Sequence, residues 1–169
     1  MQKLQKTPTL LMKELNFLTE EANRIYQEDA ERSYAPVDEN MEYKYETGYS
    51  YENNRKELEK INKQELRIRS ALAKFNSTTK AYGLDLTIAE ALVRIAQLRV
   101  EIKALTTLAN RTEYKETAVG GGYGLTKTIT TRINYDQNKV INDLRNLQHE
   151  LSTIQIAVDK TNLTTPIEY

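Results

Sequence analysis

QNKVINDLRNLQHELSTIQIAV, residues 137–158, is the stretch whose reading decides the fold. After Gln137 its apolar residues fall at Val140, Leu144, Leu147, Leu151, Ile154 and Val158, in steps that alternate between three and four. That alternation predicts a helix over 136–161 with a single apolar stripe, and such a stripe is buried against other helices. Thr164-Thr165-Pro166 ends it, because proline lacks the amide donor and disfavours helix in the residue before it.

Working back along the chain, 114–133 is the only segment with period-two character. Leu125, Ile129 and Ile133 fall on one side and Thr126, Thr128 and Thr130 on the other, and Tyr114, Glu116 and Ala118 alternate with Lys115, Thr117 and Val119. Gly120-Gly121-Gly122-Tyr123-Gly124 lies between them, so the segment reads as a small β-hairpin. A helix over 88–111 precedes it. One of its faces carries Ile88, Leu92, Ile95, Ile102 and Leu105; a second carries Ala89, Val93, Ala96, Val100 and Leu108. Thr87 and Glu90 form a capping box at its start.

A helix over 52–79 buries Leu58, Ile61, Ile68, Leu72 and Phe75, with Glu65 interrupting the seam; Gly83 offers a left-handed end to it. The first helix spans 8–32, with Thr7 as cap, Pro8 in the first turn and Leu11, Leu15, Leu18, Ala22 and Ile25 as its stripe. Between these two lies a tyrosine-rich loop, 34–51, where five tyrosines are interleaved with acidic residues. Long loops are uncommon in compact domains and often functional. The expected fold is mainly α: one domain, 1–169, built as an elongated antiparallel four-helix bundle of coiled-coil hairpins with the β-hairpin at one end.

Composition removes several functions. The chain has no cysteine, so disulfides, thiolate chemistry and sulfur-ligated metals are excluded. Twenty-four basic residues balance 24 acidic ones, which is not the footprint of a nucleic-acid binder. No window approaches the roughly 18 apolar residues of a membrane span. The apolar run Leu10-Leu11-Met12 is too short for a secretory signal, so a cytoplasmic location is expected and Asn-x-Ser/Thr triplets at Asn76, Asn110 and Asn162 are chance matches.

The candidate chemistry is sparse. A phosphate loop needs glycine followed directly by lysine and a hydroxyl residue before a helix, whereas Gly124 is separated from Lys127 and a strand follows. His149 has Arg145 and Thr153 at helical spacing, which are not metal ligands. Di-metal bundles use Glu-x-x-His pairs, and none occurs. No catalytic residue, metal site or cofactor is therefore expected. Two weaker features remain. Glu65, Asn76 and Thr79 are polar residues along an apolar seam, and Tyr43, Tyr45, Tyr49 and Tyr51 suit a protein-contact surface, where tyrosine is enriched.

Leu72-Ala-Lys-Phe75-Asn76-Ser-Thr78-Thr79, then Gly83-Leu-Asp-Leu86-Thr87-Ile-Ala-Glu90-Ala91-Leu92, resembles the septicolysin-like family of small bacterial helical proteins. Leu151 to Gln155 followed by Asn162-Leu163-Thr164-Thr165 is similar to that family's C-terminal end, with Leu163 in place of a usual tryptophan. The resemblance implies a helical protein of unassigned function and brings no catalytic residues; the cytolysin in the family name would need a cysteine for thiol-dependent lysis. The leading expectation is a non-enzymatic helical homo-oligomer, with the tyrosine loop as a further protein contact and no nucleic-acid or membrane partner. A small-molecule or metal-dependent enzyme near Glu65, Asn76 and Thr79 is the alternative. A membrane-active, cytolysin-like protein is the disfavoured third.

Overall fold

In the computed structural model, residues 5–40, 42, 48–120 and 126–168 are described. The chain is mainly helical, with α1 (Pro8–Arg32), α2 (Tyr51–Thr78), α3 (Ile88–Ala109) and α4 (Gln137–Thr164). Strands β1 (Gln5–Lys6) and β4 (Ile167–Glu168) pair with each other, as do β2 (Tyr114–Gly120) and β3 (Thr126–Arg132). The helices and the β2–β3 hairpin fall within two or three residues of where periodicity places them. The chain divides into two compact units, Met1–Lys80 with Asp159–Tyr169, and Ala81–Val158.

The first unit is built on α1 and α2. Thr19 donates to Glu65 at 3.2 Å and Asn54 to Asp29 at 2.8 Å, so residue numbers rise on α1 as they fall on α2 and the helices are antiparallel neighbours; Gln64 adds a bond to Glu14 at 2.7 Å. Leu11, Leu18, Ala22 and Ile25 of α1 and Leu58, Ile61, Ile68 and Phe75 of α2 are buried, nearly the full expected stripes; Leu15 and Leu72 are half-buried. The two chain ends close this unit. Gln5 pairs with Glu168 and Lys6 with Ile167 in antiparallel register, and the Thr9 hydroxyl donates to the Asn162 carbonyl at 3.0 Å. No periodicity announces a pairing of two two-residue strands at opposite ends of a chain.

In the second unit, a tight turn leads into α3, with the Ala81 amide donating to the Leu86 carbonyl at 2.8 Å and Gly83 at φ 72°. A left-handed φ favours glycine, but Gly83 serves this turn rather than capping α2. That helix ends at Thr79, whose amide bonds back to Phe75. The Thr87–Glu90 capping box forms as expected, with the Glu90 amide donating to the Thr87 hydroxyl at 3.2 Å and the Thr87 amide to the Glu90 carboxylate at 2.8 Å. Thr7 does hold the N-cap position of α1, but its side chain makes no capping hydrogen bond.

Helices α3 and α4 are also antiparallel neighbours: Arg94 meets Glu150, and Tyr135 donates to the Leu108 carbonyl at 2.7 Å. The buried face of α3 is Ile88, Ala91, Ile95 and Leu98, continued by half-buried Ile102 and Leu105; Leu92 falls outside it and is exposed. On α4, Ile154, Ala157 and Val158 are buried, but Val140, Leu144, Leu147 and Leu151 are only half-buried. Beyond these helices the hairpin stands clear. Tyr114 pairs with Arg132 and Gly120 with Thr126, and every residue of β2 is exposed. A two-stranded ribbon without a covered face has little stability of its own. It is fixed at its foot, where the Ile133 amide reaches the Glu113 carbonyl at 3.1 Å and Gln137 donates to the Ala109 and Arg111 carbonyls at 2.8 and 2.9 Å. The glycine turn, 121–125, and so Leu125, lies outside the described residues.

Candidate functional site

The polar residues picked out on α2 are not gathered into one place. Glu65 and Asn76 are on the same helix, and their separation of 11 positions is about 16 Å along the axis. Glu65 is half-buried and already engaged, by Thr19 at 3.2 Å and Arg69 at 3.4 Å. Its place in the α2 seam is therefore filled by a hydrogen bond to α1. Asn76 and Thr79 lie at the far end of the helix, where the Thr79 amide serves the C-cap. Among the described residues no group of three or more histidines, aspartates or glutamates is placed to hold a metal ion.

The tyrosines divide differently. Tyr43 and Tyr45 lie outside the described residues. Tyr49 is tied down: its hydroxyl donates to Asp29 at 3.1 Å, and the same carboxylate accepts from Asn54 at 2.8 Å and pairs with Arg55. Tyr51 opens α2, with the Arg55 guanidinium 5.1 Å from its ring centre and 5.9 Å from that of Tyr26. Asp29 is thus the hub that joins α1, the start of α2 and the end of the tyrosine segment. The Asn54 amide, most of all, holds its carboxyl below the usual carboxylate range; partial burial opposes this, and Tyr49 and Arg55 reinforce it. Burial and the bond to Asp29 push the Tyr49 phenol up. A carboxylate with three donors is positioned to hold structure, and Tyr49 is more a strut than a free contact. Nothing in the spacing of Asp29 and Arg55 signals this pair. It becomes visible only when α1 is laid antiparallel on α2 with Thr19 opposite Glu65, which puts Asp29 opposite Arg55.

In the second unit a comparable clamp joins α3 to α4. Arg94 gives two hydrogen bonds to Glu150, at 2.7 and 3.0 Å, and reaches Glu101 at 3.3 Å. These bonds hold the Glu150 carboxyl below its usual range and raise the Arg94 guanidinium. Beside the clamp is a largely apolar groove of about 480 Å³ lined by Leu84, Leu86, His149, Thr153 and Ile154. Asp85 and Glu150 are also part of its lining. At the hairpin foot a wider cleft of about 630 Å³ is lined by Arg111, Lys115 and Arg132. These cations do not converge. Lys115 is opposite Thr131 in the strand register while Arg132 is opposite Tyr114, which sets their side chains on opposite faces of the ribbon. Arg132 is also engaged by Glu113 at 3.2 Å and by the Tyr114 ring.

The remaining feature is the second face of α3. Val93 is 59% exposed and Val100 70% exposed, Ala96 is exposed and Ala89 half-buried. These four follow one another at four, three and four positions, the spacing of a helix–helix seam, and three of them are exposed. Lys103 and Thr107 continue the line and are exposed. Of the second face expected on α3, Val93, Ala96 and Val100 are exposed, while Ala89 and Leu108 are half-buried.

No protein family, curated protein or solved structure matches this chain. No helix among the described residues is long and apolar enough to cross a membrane.

Proposed function

We propose that this is a non-enzymatic, self-associating helical protein, in which the outer stripe of α3 is the contact between copies. The observation that carries the reading is that stripe: Ala89, Val93, Ala96 and Val100 at heptad spacing, the last three exposed and Ala89 half-buried. Isolated exposed apolar residues are ordinary, but a run at seam spacing is a surface shaped for another helix. Covering the two valines contributes on the order of 1–2 kcal/mol each, against an association cost of several kcal/mol, so assembly depends on protein concentration. The half-buried stripe Val140, Leu144, Leu147 and Leu151 on α4 supports the same reading, as apolar surface left for a neighbour. A bundle of four or more helices would then be completed between copies.

Light scattering on a sizing column tests this. The expected result is a mass that rises with concentration from 19.5 kDa towards a discrete multiple. Val100→Glu, at an exposed position, is expected to hold the mass at the monomer value with an unchanged helical circular dichroism spectrum. A wild-type mass fixed at 19.5 kDa up to millimolar protein overturns the proposal. Membership of the septicolysin-like family and a cytoplasmic location belong to the same proposal. The first is supported by the residues of 72–92 and by the C-terminal end; the second is tested by cell fractionation.

A further inference from the structure

The cleft of about 630 Å³ at the foot of the hairpin has charge of one sign in its lining. Arg111, Lys115 and Arg132 are cations, and no aspartate or glutamate is among the residues that form it. The chain as a whole is neutral, so these three leave a net charge of −3 on the rest of it. The balanced total therefore conceals one concentrated patch of positive charge. Uncharged donors accompany it: Asn110 and Asn134 bring side-chain amides and Thr112 a hydroxyl.

The surroundings remove competing negative charge. The C-terminal end of a helix carries partial negative charge on its free carbonyls, and α3 ends beside the cleft. Those carbonyls are occupied: Leu108 accepts from the Tyr135 hydroxyl at 2.7 Å, and Ala109 and Arg111 accept from Gln137 at 2.8 and 2.9 Å. Nearby carboxylates are engaged or turned away. Glu113 meets Arg132 at 3.2 Å, and Asp136 accepts the amides of Asn138 and Lys139. Glu116 is opposite Thr130, which puts it on the face of the ribbon away from Lys115. The side chains of Arg111 and Lys115 are exposed, and among the described residues neither makes an ion pair.

We infer that, apart from any self-association, this cleft binds an anion built of two or more linked phosphates. The size fits, since ligand clefts span roughly 300–1,000 Å³. The placing of the cations decides the form of the ligand. Lys115 and Arg132 reach the cleft from opposite faces of the ribbon, so they do not close on a single phosphate. A chain of phosphates spreads its charge, and each cation meets a different group through charge-assisted hydrogen bonds. Arg132 is shared with Glu113 and the Tyr114 ring, so Arg111 and Lys115 carry most of the binding. Linked phosphates occur free, as polyphosphate, or as the backbone of a nucleic-acid strand, and both present this chemistry.

Isothermal titration calorimetry of the full chain with inorganic tripolyphosphate at low salt tests the site. Saturable binding is expected, weakened about tenfold by Arg111→Gln or Lys115→Gln, each with an unchanged circular dichroism spectrum. Arg99→Gln removes an exposed cation about 15 Å along α3 from its end, and is expected to leave the affinity unchanged. Inorganic phosphate is expected to bind several times more weakly than tripolyphosphate. Oligothymidylate distinguishes the sources: binding tighter than that of tripolyphosphate supports the site as one for a nucleic-acid strand, and weaker binding supports free polyphosphate. No saturable binding of tripolyphosphate at millimolar concentration overturns the site. So does a loss in Arg99→Gln equal to that in Arg111→Gln. Phosphate bound as tightly as tripolyphosphate overturns the linked-phosphate ligand.

Discussion

The α1–α2 pair and the α3–α4 pair carry apolar stripes of similar density, yet the first is sealed and the second is half open. On α1 and α2, eight stripe residues are buried. On α4, Val140, Leu144, Leu147 and Leu151 are only half-buried, and on the second face of α3 Val93, Ala96 and Val100 are exposed. The difference lies in what surrounds each pair. In the first unit the β1–β4 strands and the last turns of α4 pack in with α1 and α2. In the second unit, what accompanies the α3–α4 pair is the tight turn before α3 and a hairpin whose first strand is exposed throughout. A heptad stripe says that a helix wants a neighbour; it does not say that the same chain supplies one.

The largest effect that would break this contrast is in the core. Ile68 is fully buried, and Ile68→Ala is expected to cost about 4 kcal/mol by urea denaturation. Leu147→Ala, at a half-buried position, should cost about 2 kcal/mol or less in dilute protein. Equal losses at low concentration would mean the two pairs are equally sealed. A Leu147→Ala loss that grows with protein concentration would sharpen the contrast, by showing that the α4 stripe is covered in the assembly.

Next in size are the helix starts, where three caps differ in what their side chains do. Thr87→Ala removes a complete capping box and should cost about 1 kcal/mol. Ser50 accepts from Asn53 at a long 3.4 Å, so Ser50→Ala should cost about half as much. Thr7→Ala should be nearly neutral, because that side chain makes no capping bond. Thermal melts of the three variants rank them, and a Thr7→Ala loss equal to that of Thr87→Ala would contradict the assignment.

The smallest effect is the acid response of the α3–α4 clamp. Arg94 lowers the folded-state carboxyl of Glu150 below its ordinary 4.5, so the stability it contributes is full above that pH. It is lost as pH falls through the lowered folded value. Glu150→Gln should therefore melt below wild type at neutral pH, and the gap should narrow below about pH 4. A gap that stays constant down to about pH 3 would mean that Arg94 gives Glu150 no protonation-linked stability.

The local features were legible because each is written in neighbouring residues. The Thr87–Glu90 box needs only a three-residue spacing, and the four helices need only an apolar residue every three or four positions. The candidate site was less legible. Both faces of α3 could be read from periodicity, although Leu92 was assigned to the buried face that Ala91 and Leu98 in fact fill. Which face would remain open could not be read, because exposure depends on what packs there. Asp29, Asn54 and Arg55 gave no signal, since the pair that matters is formed across two antiparallel helices, and a polar residue on a helix reads the same whether it faces water or a partner.

The sequence by itself determined the places of the four helices and of the hairpin, which follow from backbone preference and side-chain period over short spans, and its composition determined the absence of thiol chemistry. The tertiary structure alone decided three things: that Glu65 is filled by Thr19, that the chain ends pair as β1 and β4, and that Val93 and Val100 stay in solvent. These depend on contacts between residues far apart in the chain, and burial is a property of the whole packed surface, which no local pattern contains.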